Sequence, residues 1–510
     1  MSTKEGVREL AIYIHLPFCV RKCLYCDFNS GVYDREVQKS YVNKLCEEID
    51  WTFEDRRKKN PGKEVITSIF FGGGTPSVLE PKFIEQILCK LKENAELCKP
   101  NTENNLCKPD AHNELCKQEL CKPEITIEVN PGTVEYLEPY EDPLVEDKEK
   151  NIEKNIVNNI ENNIENKDKG IEYIEKTMDS AKDESKEDGK PQRKNKLEYY
   201  KAIGINRVSI GMQSSSDEEL KTLGRIHNYE DFLKTYQMAK DAGFENISVD
   251  VMYALPGQTF SSFEKTLRKT AELSPPHISA YSLIVEEGTP FDDMDLDLPG
   301  EETERKMYVS VGKILKEYGY HQYEISNYAK DGFECRHNSV YWKRGEYLGF
   351  GLSAASLTYD DSGFSSSSRK NENGHSTCET DGSADKTDGT TKRTVMNYRY
   401  TNTGSMEEYL KAETFEQLKA FRKEEEHLSM NDCMSEYAFL SLRMNRGISA
   451  AEFREFFGRD LEEVYGDVIK KNERWRLLTV SDEGTVSLTA KGRNVANVVM
   501  ADFLLDEEET

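Results

Sequence analysis

Residues 11–26 read Ala-Ile-Tyr-Ile-His-Leu-Pro-Phe-Cys-Val-Arg-Lys-Cys-Leu-Tyr-Cys. A β-rich run over Ala11–His15 ends at Pro17 and leads into three cysteines at a Cys-x3-Cys-x2-Cys spacing: Cys19, Cys23 and Cys26. Three thiolates on one short loop can hold three irons of a cubane cluster. The fourth iron then stays free to chelate the amino and carboxylate groups of a small ligand. Two blander readings stand beside this one. Zinc favours four ligands and close Cys-x2-Cys pairs in a structural site. A trio of core cysteines sits poorly with the charged Arg21 and Lys22 between them. The loop follows a first strand directly, which is where a parallel α/β barrel gathers its chemistry, at the C-terminal ends of its strands.

Outward from that strand, short β-rich runs and amphipathic helices alternate. The later runs are Ile66–Phe71, Ile125–Val129, Arg207–Met212, Ile247–Tyr253 and His277–Ile284. Val37, Tyr41, Leu45 and Ile49 share one helical face; Phe83, Ile84, Ile87, Leu88 and Leu91 form another, begun near Pro81. A capping box from Ser216 to Glu219 opens a third helix, and a fourth runs over Tyr229–Ala242 to a stop at Gly243. Six βα units in series predict an α/β fold with a parallel sheet, open or curled into part of a barrel.

The strand ends carry polar groups. Gly72-Gly73-Gly74-Thr75-Pro76-Ser77 lets a ligand come close to the backbone. It lacks the Gly-Lys-Ser/Thr of a Walker motif, and a tight turn before a helix would look the same. Glu128, Gln213 and Asp250 close the third, fourth and fifth strands with groups suited to ribose hydroxyls and an ammonium.

Three stretches read as inserts too polar to pack. Residues 92–122 repeat Leu-Cys-Lys every nine residues, 139–194 are rich in Asn, Glu, Lys and Ile, and 358–393 in Ser, Gly, Asp and Thr. The repeat's thiols include no Cys-x2-Cys pair, so tandem duplication explains them without a metal. The inserts divide a chain whose expected domains are 1–290 (the barrel), 291–405 (a flanking segment) and 406–510. In the last, Ser449 caps a helix with Glu452, Phe453, Phe456 and Phe457 face inward, and a hairpin turns at Asp482–Gly484, as in a small helical or winged-helix unit. The whole chain has 68 Lys and Arg against 94 Asp and Glu, a formal charge of −26. That balance argues against a nucleic-acid or anionic-lipid partner. With no run of eighteen apolar residues and no signal-peptide pattern, a cytoplasmic protein with free thiols is expected.

Together the cysteine loop, Gly-Gly-Gly-Thr-Pro, IEVNPGT, RVSIGMQS, LGRIH, VDVMYALPGQT and YEISNYA resemble the radical S-adenosylmethionine enzymes of the anaerobic coproporphyrinogen III oxidase family. The resemblance covers nearly all of residues 9–505 outside the inserts. It implies a partial (β/α)6 TIM-like barrel with a smaller C-terminal domain, and a [4Fe–4S] cluster on Cys19, Cys23 and Cys26. It also implies S-adenosylmethionine against Tyr13, Gly73, Gly74, Thr75, Glu128, Gln213, Arg225 and Asp250, and an electron donor such as flavodoxin or ferredoxin. Two departures separate branches of the family. The oxidases carry a further cysteine where Phe28 stands, and a long arm where only twelve residues precede Tyr13. Both match the HemW-type heme chaperones instead. That branch carries a His-Asn-x-x-Tyr-Trp element implicated in heme binding, present here as His337-Asn338-Ser339-Val340-Tyr341-Trp342, with Cys335 close by. A structural histidine beside core aromatics is the alternative. Heme delivery to acceptor proteins, membrane-bound respiratory enzymes among them, is thereby implied. Oxygen-independent coproporphyrinogen III dehydrogenation and radical chemistry on an unrelated substrate are the competing activities. Whether the chain forms a homodimer is left open.

Overall fold

The computed structural model describes residues 7–59, 62–98, 122–135, 195–359 and 396–506. Its centre is built by strands with a two-residue period. In each, branched apolar side chains alternate with polar ones: Ile12 and Ile14 with Tyr13 and His15; Val208, Ile210 and Met212 with Arg207, Ser209 and Gln213. The apolar set joins the main core beneath the helices, as Ile12, Ile14, Val208 and Ile210 do, so the polar set turns into the barrel. The strands are β1 (Val7–Leu16), β2 (Lys63–Gly73), β3 (Glu96–Leu97), β4 (Glu124–Val129), β5 (Arg207–Gln213), β6 (Asn246–Tyr253) and β7 (His277–Ser282). β1, β2, β4, β5, β6 and β7 pair in that order, all parallel. Helices Arg35–Lys59, Pro81–Asn94, Tyr229–Asp241 and Phe260–Glu272 make the crossovers.

The sheet does not close. Beyond β7 lie antiparallel β9 (Asn327–Ala329) and then β8 (His321–Gln322). On the other side, β10 (Tyr347–Phe350) pairs parallel with β1, followed by antiparallel β11 (Ala355–Tyr359), β12 (Met396–Thr401) and β13 (Lys423–His427). The partial barrel expected from the sequence is present, with four additional strands extending its β1 edge. Those strands are fastened by buried Glu48 on the first helix. Its carboxylate accepts from Tyr409 Oη at 2.5 Å, Asn402 Nδ2 at 2.7 Å and the Gly351 amide at 2.9 Å.

Several local expectations need correction. Residues 92–98, assigned to an insert, finish the helix at Asn94 and add β3 to the edge of β2. Residues 358 and 359 belong to β11; the remainder of that insert up to 393 and all of 139–194 lie outside the described residues. Ser216 does cap its helix, but the carboxylate of Glu219 accepts from Ser214, Gln258 and Ser262 instead of closing the box. Full capping boxes are at Asn228 with Asp231 and at Ser429 with Asp432.

The C-terminal unit has its own core, formed by Met434, Tyr437, Phe453, Tyr465 and Ile469, with Phe456 and Phe457 packed against it. Helices Met430–Arg443, Ala450–Phe457 and Leu461–Arg474 carry a three-stranded sheet, Ile448–Ser449, Leu478–Val480 and Thr485–Leu488, whose turn at Ser481–Gly484 is the expected hairpin. That is a winged-helix-like arrangement. Among the described residues no helix is long and apolar enough to cross a membrane.

Candidate cofactor site

A cavity of about 390 Å³ opens at the C-terminal ends of the parallel strands. Its walls are the cysteine loop, the glycine loop and the ends of β4 to β7, as the sequence places them. Of the predicted residues, Cys19, Cys23, Cys26, Gly73, Gly74, Thr75, Glu128, Gln213, Arg225 and Asp250 all line it. Tyr13 lies one layer deeper, stacked on Phe70 with its hydroxyl 3.1 Å from His15 Nδ1.

The backbone fixes the two loops to each other. Gly74 N–H donates to Leu16 C=O at 2.9 Å, and Thr75 N–H to Phe18 C=O at 2.7 Å. The cysteine loop folds back through Cys19 N–H to Gly31 C=O at 2.8 Å. Glycine is required at 74: a Cβ there would sit 2.8 Å from the Phe18 carbonyl and 3.0 Å from Cys19 Sγ. At the end of β5 the register slips and Gln213 takes a left-handed φ of 67°. This strained turn aims its amide at the cavity, where Tyr281 Oη donates to Oε1 at 3.2 Å.

The three thiols are free, and all border the same cavity. Among the described residues no three His, Cys, Asp or Glu converge on a single ion. A cubane does not ask for that, since each thiolate binds a different iron. Arg225 stands behind them. Its Nη1 lies 3.7 Å from Cys23 Sγ, its Nη2 donates to Gly211 C=O at 2.8 Å and to Asn130 Oδ1, and its buried Nε has no partner. On the cavity floor two half-buried carboxyls, Glu128 and Asp250, lie close together. Burial and the neighbouring Asp250 push Glu128 up to about 8, against the pull of the Gly73 amide and Arg207. Asp250 is likewise raised by burial, with Arg207, Ser279, Ser209 and Arg225 opposing. Two acids facing one cavity would gain from a cationic ligand. Free thiols, a glycine cradle and an acidic floor together fit an iron–sulfur cluster beside a ligand bearing a positive sulfonium and ammonium.

The His-Asn-x-x-Tyr-Trp element is not here. Helix Arg336–Trp342 covers the opposite, N-terminal end of the barrel. His337 is 1% exposed. Its Nδ1 pairs with Ser68 Oγ at 2.9 Å and its Nε2 with Tyr341 Oη at 2.8 Å, while the ring stacks on Phe70. Burial, with Arg207 nearby, holds its pKa down at about 3. Cys335 is equally buried, its thiol 3.6 Å from Glu124 Oε1. In this arrangement the His337 ring and the Cys335 thiol are both enclosed, with the two ring nitrogens engaged by hydroxyls. The fully buried Arg207, beside Glu124 and Asp250, is absent from the predicted site. The signal for it was the alternation Arg207, Ser209, Gly211, Gln213, a strand face too polar to be packed against helices.

Comparison with known proteins agrees with this architecture. The Radical SAM superfamily profile matches residues 140–270 and that of the HemN C-terminal domain matches 428–495, which places the chain among radical S-adenosylmethionine proteins. The heme chaperone HemW of Lactococcus lactis is 29% identical over 97% of both chains. That of Escherichia coli is 32% identical over 69% of this chain and 71% of its own. The solved structure of Escherichia coli coproporphyrinogen III oxidase (HemN), 19% identical, superposes with a TM-score of 0.63 over 98% of this chain and 90% of its own, and so shares the fold. The chain belongs to the HemW family.

Proposed function

We propose that the protein is a heme chaperone. It binds heme, carries a [4Fe–4S] cluster on Cys19, Cys23 and Cys26, and holds S-adenosylmethionine against Gly73, Gly74, Thr75, Glu128, Gln213, Arg225 and Asp250, with Tyr13 behind them. It acts in the cytoplasm and passes heme to acceptor proteins, membrane-bound respiratory enzymes among them. A flavodoxin or ferredoxin would reduce the cluster. The observation that carries this reading is end-to-end similarity to proteins named as heme chaperones. Phe28, standing where the oxidase branch has a further cysteine, supports it. When bound, S-adenosylmethionine would supply a radical precursor. The chain's own part is to orient that ligand on the glycine cradle and to place carboxylates against its positive charge.

The test has two arms on the reconstituted full chain. Hemin-loaded protein mixed with an apo-cytochrome should lose its Soret band to the acceptor. Anaerobic incubation with coproporphyrinogen III, dithionite and S-adenosylmethionine should leave the porphyrinogen intact. Protoporphyrinogen formed at a catalytic rate would overturn the chaperone reading.

A further inference from the structure

The strand register stacks the barrel's inward-facing residues in layers. Ala11, Ser68 and Glu124 are in register near the N-terminal end, with Phe70, Thr126 and Arg207 above them. Glu128 lies beside Ser209, and Asp250 beside Gly211 and Ser279, at the cavity. A buried polar column therefore runs from the cavity to the floor. At its base, Glu124 is gripped by the 335–337 backbone: Oε1 accepts the His337 amide at 3.0 Å and Oε2 the Arg336 amide at 3.2 Å. In the middle Arg207, 2% exposed, sits among Cys335, Glu124, Tyr323 and Asp250, with no partner for its Nε. At the top Ser209 Oγ donates to the Asp250 carboxylate at 3.3 Å. The signs alternate along the column: Glu124 negative, Arg207 positive, Asp250 and Glu128 acidic.

We infer that Arg207 and Glu124 are positioning residues for the cavity's two carboxylates, and that the His337 element is the foundation of this column instead of a heme ligand. The inference rests on the reading that the cavity holds S-adenosylmethionine. A buried arginine beneath two half-buried acids favours their ionised form and so favours a cationic ligand above them. A carboxylate beneath the arginine offsets part of that effect. The other ionisable groups facing the pair are Tyr13 from β1, Arg225 from the loop after Leu223, and Tyr281 from β7; Cys335, Tyr323, His277 and His337 face Arg207 from below.

The two substitutions therefore act in opposite directions, which loss of packing alone would not do. S-adenosylmethionine binding by the cluster-reconstituted chain is followed by equilibrium dialysis between pH 6 and 9. For the wild type, affinity should rise with pH to a midpoint near 8, as Glu128 ionises. Arg207→Met should move the midpoint up and weaken binding about tenfold at pH 7; a tenfold change corresponds to about one pKa unit. Arg207→Lys should restore it. Glu124→Gln should move the midpoint down, and decides the matter alone should Arg207→Met not fold. Midpoints that stay put, or move the same way in both variants, would overturn the inference. A wild type that does not bind S-adenosylmethionine at any pH would instead overturn the reading beneath it, and the inference with it.

Discussion

The two ends of the barrel are built from the same strands and differ in how their polar groups are satisfied. At the C-terminal end, Cys19, Cys23 and Cys26 are free thiols, the Arg225 Nε has no partner, and two half-buried carboxyls share the cavity floor. At the N-terminal end the two histidine rings are satisfied by hydroxyls, while Arg207 Nε, Thr126 Oγ1 and Trp342 Nε1 have no partner. Ser68 pairs with His337 and His337 with Tyr341; Ser248 pairs with His277 and His277 with Tyr323, which in turn accepts the Cys335 amide at 3.2 Å. Buried polar groups left without partners are costly, and at the cavity a ligand would complete them. A network with every ring nitrogen matched specifies packing. On the inference drawn above, His337 belongs to the second kind.

The comparison can be broken in four places. The largest effect should come from Cys23→Ala, which should reduce bound iron after reconstitution from about four per chain, the content of a [4Fe–4S] cluster, to near background. Cys335→Ala, at the sealed end, should retain it. Iron analysis of both decides whether the ends differ in kind. Gly74→Ala comes next. Its Cβ would collide with backbone at 2.8 and 2.9 Å, so the loop must shift and S-adenosylmethionine affinity should fall at least about tenfold, or about 1.4 kcal/mol, measured by dialysis. At the floor, His337→Ala should cost roughly 2–4 kcal/mol of stability in denaturant unfolding, through lost ring packing and the two hydroxyls left unpaired. Its hemin titration should match the wild type; loss of hemin binding at unchanged stability would make His337 a ligand after all.

The last prediction concerns Glu48, which fastens the added strands and belongs to neither end. Burial raises its pKa from 4.5 to about 7. A raised carboxyl contributes its full stability below the unfolded value and loses it as pH climbs through the folded one. Glu48→Gln should therefore destabilise the protein at pH 5 and cost less at pH 8, with the gap approaching roughly 3 kcal/mol at 1.4 kcal/mol per pKa unit. A cost independent of pH in thermal unfolding would contradict the assignment.

The barrel strands and the cluster loop were legible because both are local. A period of two over Arg207–Gln213 needs no tertiary information, and neither does the spacing of Cys19, Cys23 and Cys26. The added strands were not legible. Tyr347–Phe350 is four residues whose place is set by parallel pairing with β1, more than 300 positions earlier. Lys423–His427 is a strand of charged, exposed residues, a composition that suits a sheet edge but lacks β-propensity. The floor was hidden for the same reason. Nothing around His337 in sequence announces that Ser68 and Phe70 will enclose its ring.

The most direct test of a cofactor site at one end and a structural floor at the other is the electron paramagnetic resonance spectrum of the reduced, reconstituted chain, before and after adding S-adenosylmethionine. The expected result is a change in the cluster's g values on addition, kept in His337→Ala and absent in Cys23→Ala. A cluster spectrum indifferent to S-adenosylmethionine, or a stable His337→Ala protein whose spectrum no longer responds, would contradict it.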